Sequence, residues 1–129
     1  MDQTELIENF SYLDDWEERY KYLIELGETL PPFNEQDKTP QNKVEGCMSS
    51  VWFVHKEEDG KHIFNATSDA HIVRGLEAVL LILINNKTSE EIKQINILEI
   101  FEQLGLKDHL SPTRRNGFFA MIERISSFL

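Results

Sequence analysis

Hydrophobic and polar positions recur along this chain with two different periods, and the changes of period outline its elements. Trp16, Tyr20, Leu23 and Ile24 fall at i, i+4, i+7 and i+8, the spacing of a helix face lying on a core. The spacing predicts a helix from about Asp14, weakened at Gly27 and ended by Pro31-Pro32. A shorter opening helix is predicted around Thr4 to Phe10, with Thr4 as its cap. Phe33 to Lys43 is polar and contains Pro40, which reads as an irregular loop. The period then shortens. Val51 to Lys56 and His62 to Ala66 read as strands, joined through Glu57-Glu58-Asp59-Gly60 with Asp-Gly in hairpin position. Lys43 to Glu45 is a candidate third strand.

A long helix is expected next, capped by Ser68 or Asp69 and running to about Ile84. Its first half is amphipathic through Ile72, Val73 and Leu76, and its second half is apolar all round, as suits the centre of a core. The same apolar run fits a buried strand, but the cap and the length favour a helix. Short helices around Ser89 to Gln94 and Ile97 to Leu104 follow, the latter ended by Gly105. Ser111 as N-cap and Pro112 in the first helical position then open a last helix carrying Phe118, Met121, Ile122 and Ile125. Two features of it break local rules. Arg114 and Arg115 place positive charge at the positive end of the helix dipole, at about 0.3–1 kcal/mol each. Gly117 lies in the helix interior, at about 1 kcal/mol relative to alanine. Such inconsistencies mark functional sites, or else reflect an ion pair and a close helix contact.

Composition narrows the classes. A chain of 129 residues suits one domain, 1–129, with a core that needs no disulfide or metal. The longest apolar run, Ala78 to Ile84, is far short of the ~20 residues that span a bilayer. With a single cysteine and a polar, acidic start, a soluble protein of the reducing cytoplasm is expected. The net charge of −10 is uneven: residues 1–40 hold 11 acidic against 3 basic side chains. An acidic surface repels nucleic acid and anionic lipid, so neither is an expected partner. The acidic N-terminal region is either a solvated helix face or a surface that steers a basic partner protein.

Candidate chemistry centres on Cys47, which follows Gly46 on the approach to the first strand. A lone cysteine forms no intramolecular disulfide, supplies no four-thiolate metal site and has no resolving thiol beside it. It either packs as a small hydrophobe or works with one sulfur at a time. A cluster scaffold would need several thiolate ligands. A Cys-His hydrolase is disfavoured because none of His55, His62, His71 and His109 has a spacing tied to Cys47. No Cys or His pair has zinc-ligand spacing either, so no metal and no resident cofactor are expected.

Several segments in order resemble the SufE family of sulfur acceptors for cysteine desulfurases. They are Trp16-Glu17-Glu18-Arg19-Tyr20, Pro40-Gln41-Asn42-Lys43-Val44-Glu45-Gly46-Cys47, Ser50-Val51-Trp52, Ser68-Asp69-Ala70 with Ile72-Val73-Arg74-Gly75-Leu76, and His109-Leu110-Ser111-Pro112-Thr113-Arg114 with Asn116-Gly117. The resemblance implies an α+β fold, a small antiparallel sheet packed by helices, like that of the iron–sulfur scaffold proteins. It implies that Cys47, on a loop near the sheet, takes sulfane sulfur from a PLP-dependent cysteine desulfurase of the SufS kind. The Cys47 persulfide would pass its sulfur to an iron–sulfur scaffold complex, and the chain would stimulate the desulfurase without being an enzyme itself. Asp69 and Arg114 match polar positions associated with the cysteine loop and with docking. Met48 departs from the glutamine common in relatives, and Phe118 from the usual leucine. Two alternatives stand beside this: an acceptor feeding another sulfur-transfer pathway, or an interaction module with an inert Cys47.

Transfer starts with a thiolate attacking the donor persulfide, so the sulfur must be deprotonated and reachable. In an acidic protein that calls for a local positive source. Arg114 or Arg115, with the N-terminus of the last helix, is the candidate.

Overall fold

The computed structural model describes residues 1–129. Two helices, α1 (Gln3–Ser11) and α2 (Trp16–Glu28), precede a hairpin of β1 (Val51–Glu58) and β2 (Lys61–Ser68). The long α3 (His71–Ile84), two short helices α4 (Ser89–Lys93) and α5 (Ile97–Gln103), and α6 (Pro112–Ser126) complete the fold. This is the expected α+β architecture, an antiparallel sheet packed by helices, here with two strands.

The core is built around α3, of whose 14 residues 11 are buried. It packs against α2 on one side and β2 on another. The α2–α3 crossing is close because glycines meet there: a Cβ on Gly75 would lie 2.3 Å from the Leu23 carbonyl oxygen. Gly27, expected to weaken α2, instead packs within it, where a Cβ would lie 2.8 Å from the Gly75 amide nitrogen.

The hairpin forms as the Asp-Gly pair predicts. Asp59 and Gly60 both take positive φ, 51° and 77°, the requirement of a two-residue turn that matches strand twist. Pairing runs from Val51 opposite Ser68 to Glu58 opposite Lys61, two residues further into the turn than expected from β1. The candidate third strand is reduced to a single bridge, Lys43 to Trp52, flanked by bonds from Val44 N to Val51 O (2.8 Å) and from Phe53 N to Asn42 O (2.9 Å).

Two expected caps are corrected. Asp2, not Thr4, caps α1 by accepting from the Glu5 amide at 2.9 Å. Neither Ser68 nor Asp69 caps α3: its N-cap is Ala70, without a side-chain bond, because both side chains act elsewhere. By contrast Ser111 caps α6 as expected, its hydroxyl accepting from the Arg114 amide at 3.2 Å, with Pro112 in the first turn. From there α6 runs back to the hairpin, where Phe128 stacks on His55 at 4.4 Å.

Candidate functional site

The Cys47 loop is anchored at both flanks. Before the cysteine, the Val44 and Asn42 backbone bonds hold the chain to β1. After it, Asp69 braces the loop: its carboxylate accepts from the Ser50 amide at 3.1 Å, and its own amide donates to the Ser50 carbonyl at 3.3 Å. Ser68, the other expected cap, accepts from the Ala70 amide at 3.2 Å. Gly46 has φ 90°, a conformation that side-chain-bearing residues rarely adopt, so the turn into the cysteine requires glycine.

Cys47 itself is half-buried against α6. Its thiol donates to the Gly117 carbonyl at 3.5 Å. A Cβ on Gly117 would lie 3.4 Å from the sulfur, so the interior glycine of α6 is what lets the thiol approach the helix backbone. The sulfur opens on a cavity of about 300 Å³. Val51, Val73, Leu76 and Met121 supply its apolar lining, and Ser49, Ser111, Thr113 and Arg114 its polar lining.

Of the residues singled out from the sequence, Cys47 and Arg114 share this cavity and Asp69 stands behind the loop. Arg115 faces a different groove, lined with Glu99, Glu102 and Phe119. The expected positive cluster is therefore split. Burial pushes the Cys47 thiol above its ordinary value, and Glu77, once ionised, and then Glu45 push it further the same way. At neutral pH the resting chain carries a thiol, and the Arg114 charge does not reverse that. Met48 is 86% exposed at the loop tip.

Glu77 is the residue sequence reasoning missed. It is 0% exposed, and neither carboxyl oxygen has a hydrogen-bond partner. Burial pushes its carboxyl up to about 9, against a smaller opposing effect from Arg74. The available signal was an acid flanked by Leu76 and Ala78 inside an apolar helix face.

Other quoted motif residues hold the frame. Trp16 stacks on His109 at 4.8 Å, joining α2 to the segment that leads into α6. Arg19 donates to the Leu13 carbonyl at 3.0 Å and lies over Gly105, where a Cβ would come within 3.2 Å of its guanidinium carbon. No group of three or more His, Cys, Asp or Glu side chains is placed to hold a metal ion, and no helix is long and apolar enough to cross a membrane.

A family model described as "Fe-S metabolism associated domain", SufE, matches residues 4–129. The chain belongs to the SufE family. It is 47% identical over 127 residues to an uncharacterised SufE-like protein of Rhizobium meliloti (strain 1021), covering 95% of this chain and 91% of that one. A second uncharacterised SufE-like protein, from Rhizobium etli, is 46% identical over 125 residues, covering 94% of this chain and 84% of its own length. The fold matches the solution structure of a hypothetical protein from Thermus thermophilus with a TM-score of 0.77 at 20% identity, covering 97% of this chain and 90% of that one. SufE membership associates the chain with iron–sulfur metabolism and, at that level, with sulfur transfer alongside a cysteine desulfurase.

Proposed function

We propose that Cys47 accepts sulfane sulfur from the persulfide of a PLP-dependent cysteine desulfurase, and that the chain stimulates that enzyme and hands the sulfur on for iron–sulfur cluster assembly. The observation that carries this reading is the seat of Cys47: a lone thiol at the mouth of a largely apolar cavity with room for another sulfur atom. In the transfer the Cys47 thiolate attacks the outer sulfur of the donor persulfide. A new S–S bond forms on Cys47, the donor S–S bond breaks, and the donor cysteine leaves as a thiolate. Oxidation state is conserved, so no external oxidant or reductant enters. The absence of a second thiol suits a carrier, because a neighbouring cysteine would attack the persulfide, close a disulfide and release sulfide.

The thiol, raised above all by burial, is a poor nucleophile at rest. Docking must therefore supply the activation, by drawing the loop out of its seat or by bringing positive charge to it. Asp69 is assigned the loop brace and Arg114 the cavity cation that receives the incoming sulfur. The 1–40 segment, with its acidic excess, offers a surface for a basic face on the partner.

The test is intact-mass measurement after incubation with a cysteine desulfurase and cysteine. Wild type gains the mass of sulfur and Cys47→Ser does not. An unchanged wild-type mass overturns the reading. Alkylated protein that still stimulates the desulfurase fully would favour the module with an inert Cys47.

A further inference from the structure

The segment that leads to Cys47 is strapped along one face of α6 at three points. Cys47 lies against Gly117, its sulfur 3.5 Å from that residue's carbonyl oxygen. One residue earlier, Gly46 lies over Ala120: a Cβ on the glycine would come 3.4 Å from the alanine Cβ. Further back, the Arg124 guanidinium donates through Nη2 to the Gln41 carbonyl, 83 residues away in sequence. Positions 117, 120 and 124 are spaced by three and four, so they share one face of the helix. Residues 41–47 therefore run antiparallel to α6, from its second half back towards its first.

Gly117 and Ala120 are small residues that permit the approach, while Arg124 grips. Its guanidinium is a charged donor, and a bond from a charged group is stronger than one between neutral groups. Charge pairing is not its role: the chain carries 23 Asp and Glu, yet none of its four ion pairs includes Arg124. The side chain is half-buried, with the guanidinium carbon 5.9 Å from the centre of the Phe128 ring. Phe128 is seated in turn on His55 and Phe64 of the hairpin. That seat restricts the guanidinium and keeps it aimed at Gln41. From Gln41 the hold passes along the strap, where the Asn42 carbonyl accepts from the Phe53 amide and the Val44 amide donates to the Val51 carbonyl.

We propose that Arg124 is a positioning residue for Cys47: by gripping the Gln41 carbonyl it holds the strap on α6 and keeps the thiol seated against Gly117. Asp69 braces the loop after the cysteine, and Arg124 does the same before it. Release of this upstream hold lets the strap lift from α6 and exposes the sulfur. The use of the hold rests on the sulfur-acceptor reading above and deepens it, because a carrier that shields its sulfur between donor and recipient needs the loop restrained at both ends. No covalent bond is made or broken by Arg124.

The experiment uses the full chain without a desulfurase and follows alkylation of Cys47 by iodoacetamide through intact mass, beside amide hydrogen exchange. Arg124→Met removes the donor and keeps an apolar stem over Phe128. Arg124→Lys restores a charged donor. Losing such a bond at an exposed site shifts the opening of the strap by about threefold to tenfold. Arg124→Met is therefore expected to alkylate about threefold faster than wild type or more, with Arg124→Lys returning most of the way. The Val44 and Phe53 amides, which pin the strap to β1, should exchange faster by a similar factor in Arg124→Met. Those of Val79 and Leu80, fully buried at the centre of α3, should keep their wild-type rates. A general loss of stability would speed all four together. Wild-type alkylation and exchange in Arg124→Met, or equal acceleration of the strap and α3 amides, overturns the proposal. So does fast alkylation that Arg124→Lys fails to slow, since the donor would then not be what holds the strap. Sulfur uptake from a desulfurase is read separately. Wild type that takes up no sulfur, with the Arg124 effects intact, sinks the functional reading alone; normal uptake with unchanged alkylation sinks only the role of Arg124.

Discussion

Gly117→Ala should stabilise the fold and impair sulfur uptake, two effects of opposite sign from one methyl group. Gly117 is buried in the middle of α6, within ordinary helical backbone, so alanine recovers about 1 kcal/mol of helix propensity. The new Cβ would lie 3.4 Å from the Cys47 sulfur and 3.8 Å from its Cα and Cβ. These are contacts at the tight end of ordinary packing, relieved by a few tenths of an ångström of movement in the loop. They offset only part of the gain. A net stabilisation of about 0.5–1 kcal/mol raises Tm by about 2–5 °C in a domain of this size. The sulfur has no such latitude. The outer atom of a persulfide must find about 2 Å of new space from Sγ, and the methyl closes one side of it while crowding the thiol bonded to the Gly117 carbonyl. Thermal unfolding and a time course of intact mass with a desulfurase and cysteine measure the two effects separately. Uptake at least tenfold slower with Tm unchanged or raised is the expected result. A variant destabilised by more than about 1 kcal/mol would show that the glycine serves packing. Uptake at the wild-type rate would show that the space beside the sulfur is not used.

Three further outcomes follow from the same geometry. The folded chain holds the Glu77 proton up to about 9 while an unfolded glutamate releases it near 4.5, so stability falls as pH rises through that interval. At pH 7 this amounts to roughly 3 kcal/mol, and Glu77→Leu should gain most of it and flatten the slope in denaturant titrations at pH 5, 7 and 9; parallel slopes would mean the carboxyl is not held neutral. Gly75→Ala drives a Cβ to 2.3 Å from the Leu23 carbonyl oxygen and 2.7 Å from its carbon, both backbone atoms. Forcing α2 off α3 should cost about 3 kcal/mol or more, and a Tm within a degree or two of wild type would refute the close crossing. Asp69→Ala removes the acceptor for the Ser50 amide at the exposed end of the cysteine loop. Alkylation of Cys47 at pH 7 should accelerate several-fold while stability changes by about 1 kcal/mol; an unchanged alkylation rate would show that the brace does not restrain the loop.

Local chemistry was legible in the sequence wherever it had no distant competitor. Asp59-Gly60 specified its turn because few residue pairs accept positive φ twice in succession. Ser111-Pro112 specified the start of α6 because nothing else in the fold binds the serine hydroxyl. Asp69 shows the opposite case. By local rules it is a helix cap, but the Ser50 amide, nineteen residues away in sequence, takes its carboxylate and leaves α3 with Ala70 in the cap position. Thr4 lost to Asp2 for a different reason, since several cap-competent residues stood within one turn of each other. The Cys47 motif was visible as a motif, but its electrostatics were not. Arg114 and Arg115 are adjacent in sequence and face different cavities, and Glu77 disappears into a helical pattern that registers period and not what an acid meets when buried.

At neutral pH, where Glu77 keeps its proton, the Cys47 thiol is held up by its burial against α6 and by the charge of Glu45, two positions before the sulfur. Drawing the loop outward removes the first, and a cationic partner surface meeting the exposed Glu45 neutralises the second. On the proposed reading a single displacement therefore changes an unreactive thiol into a nucleophile, and only where the partner can provide it.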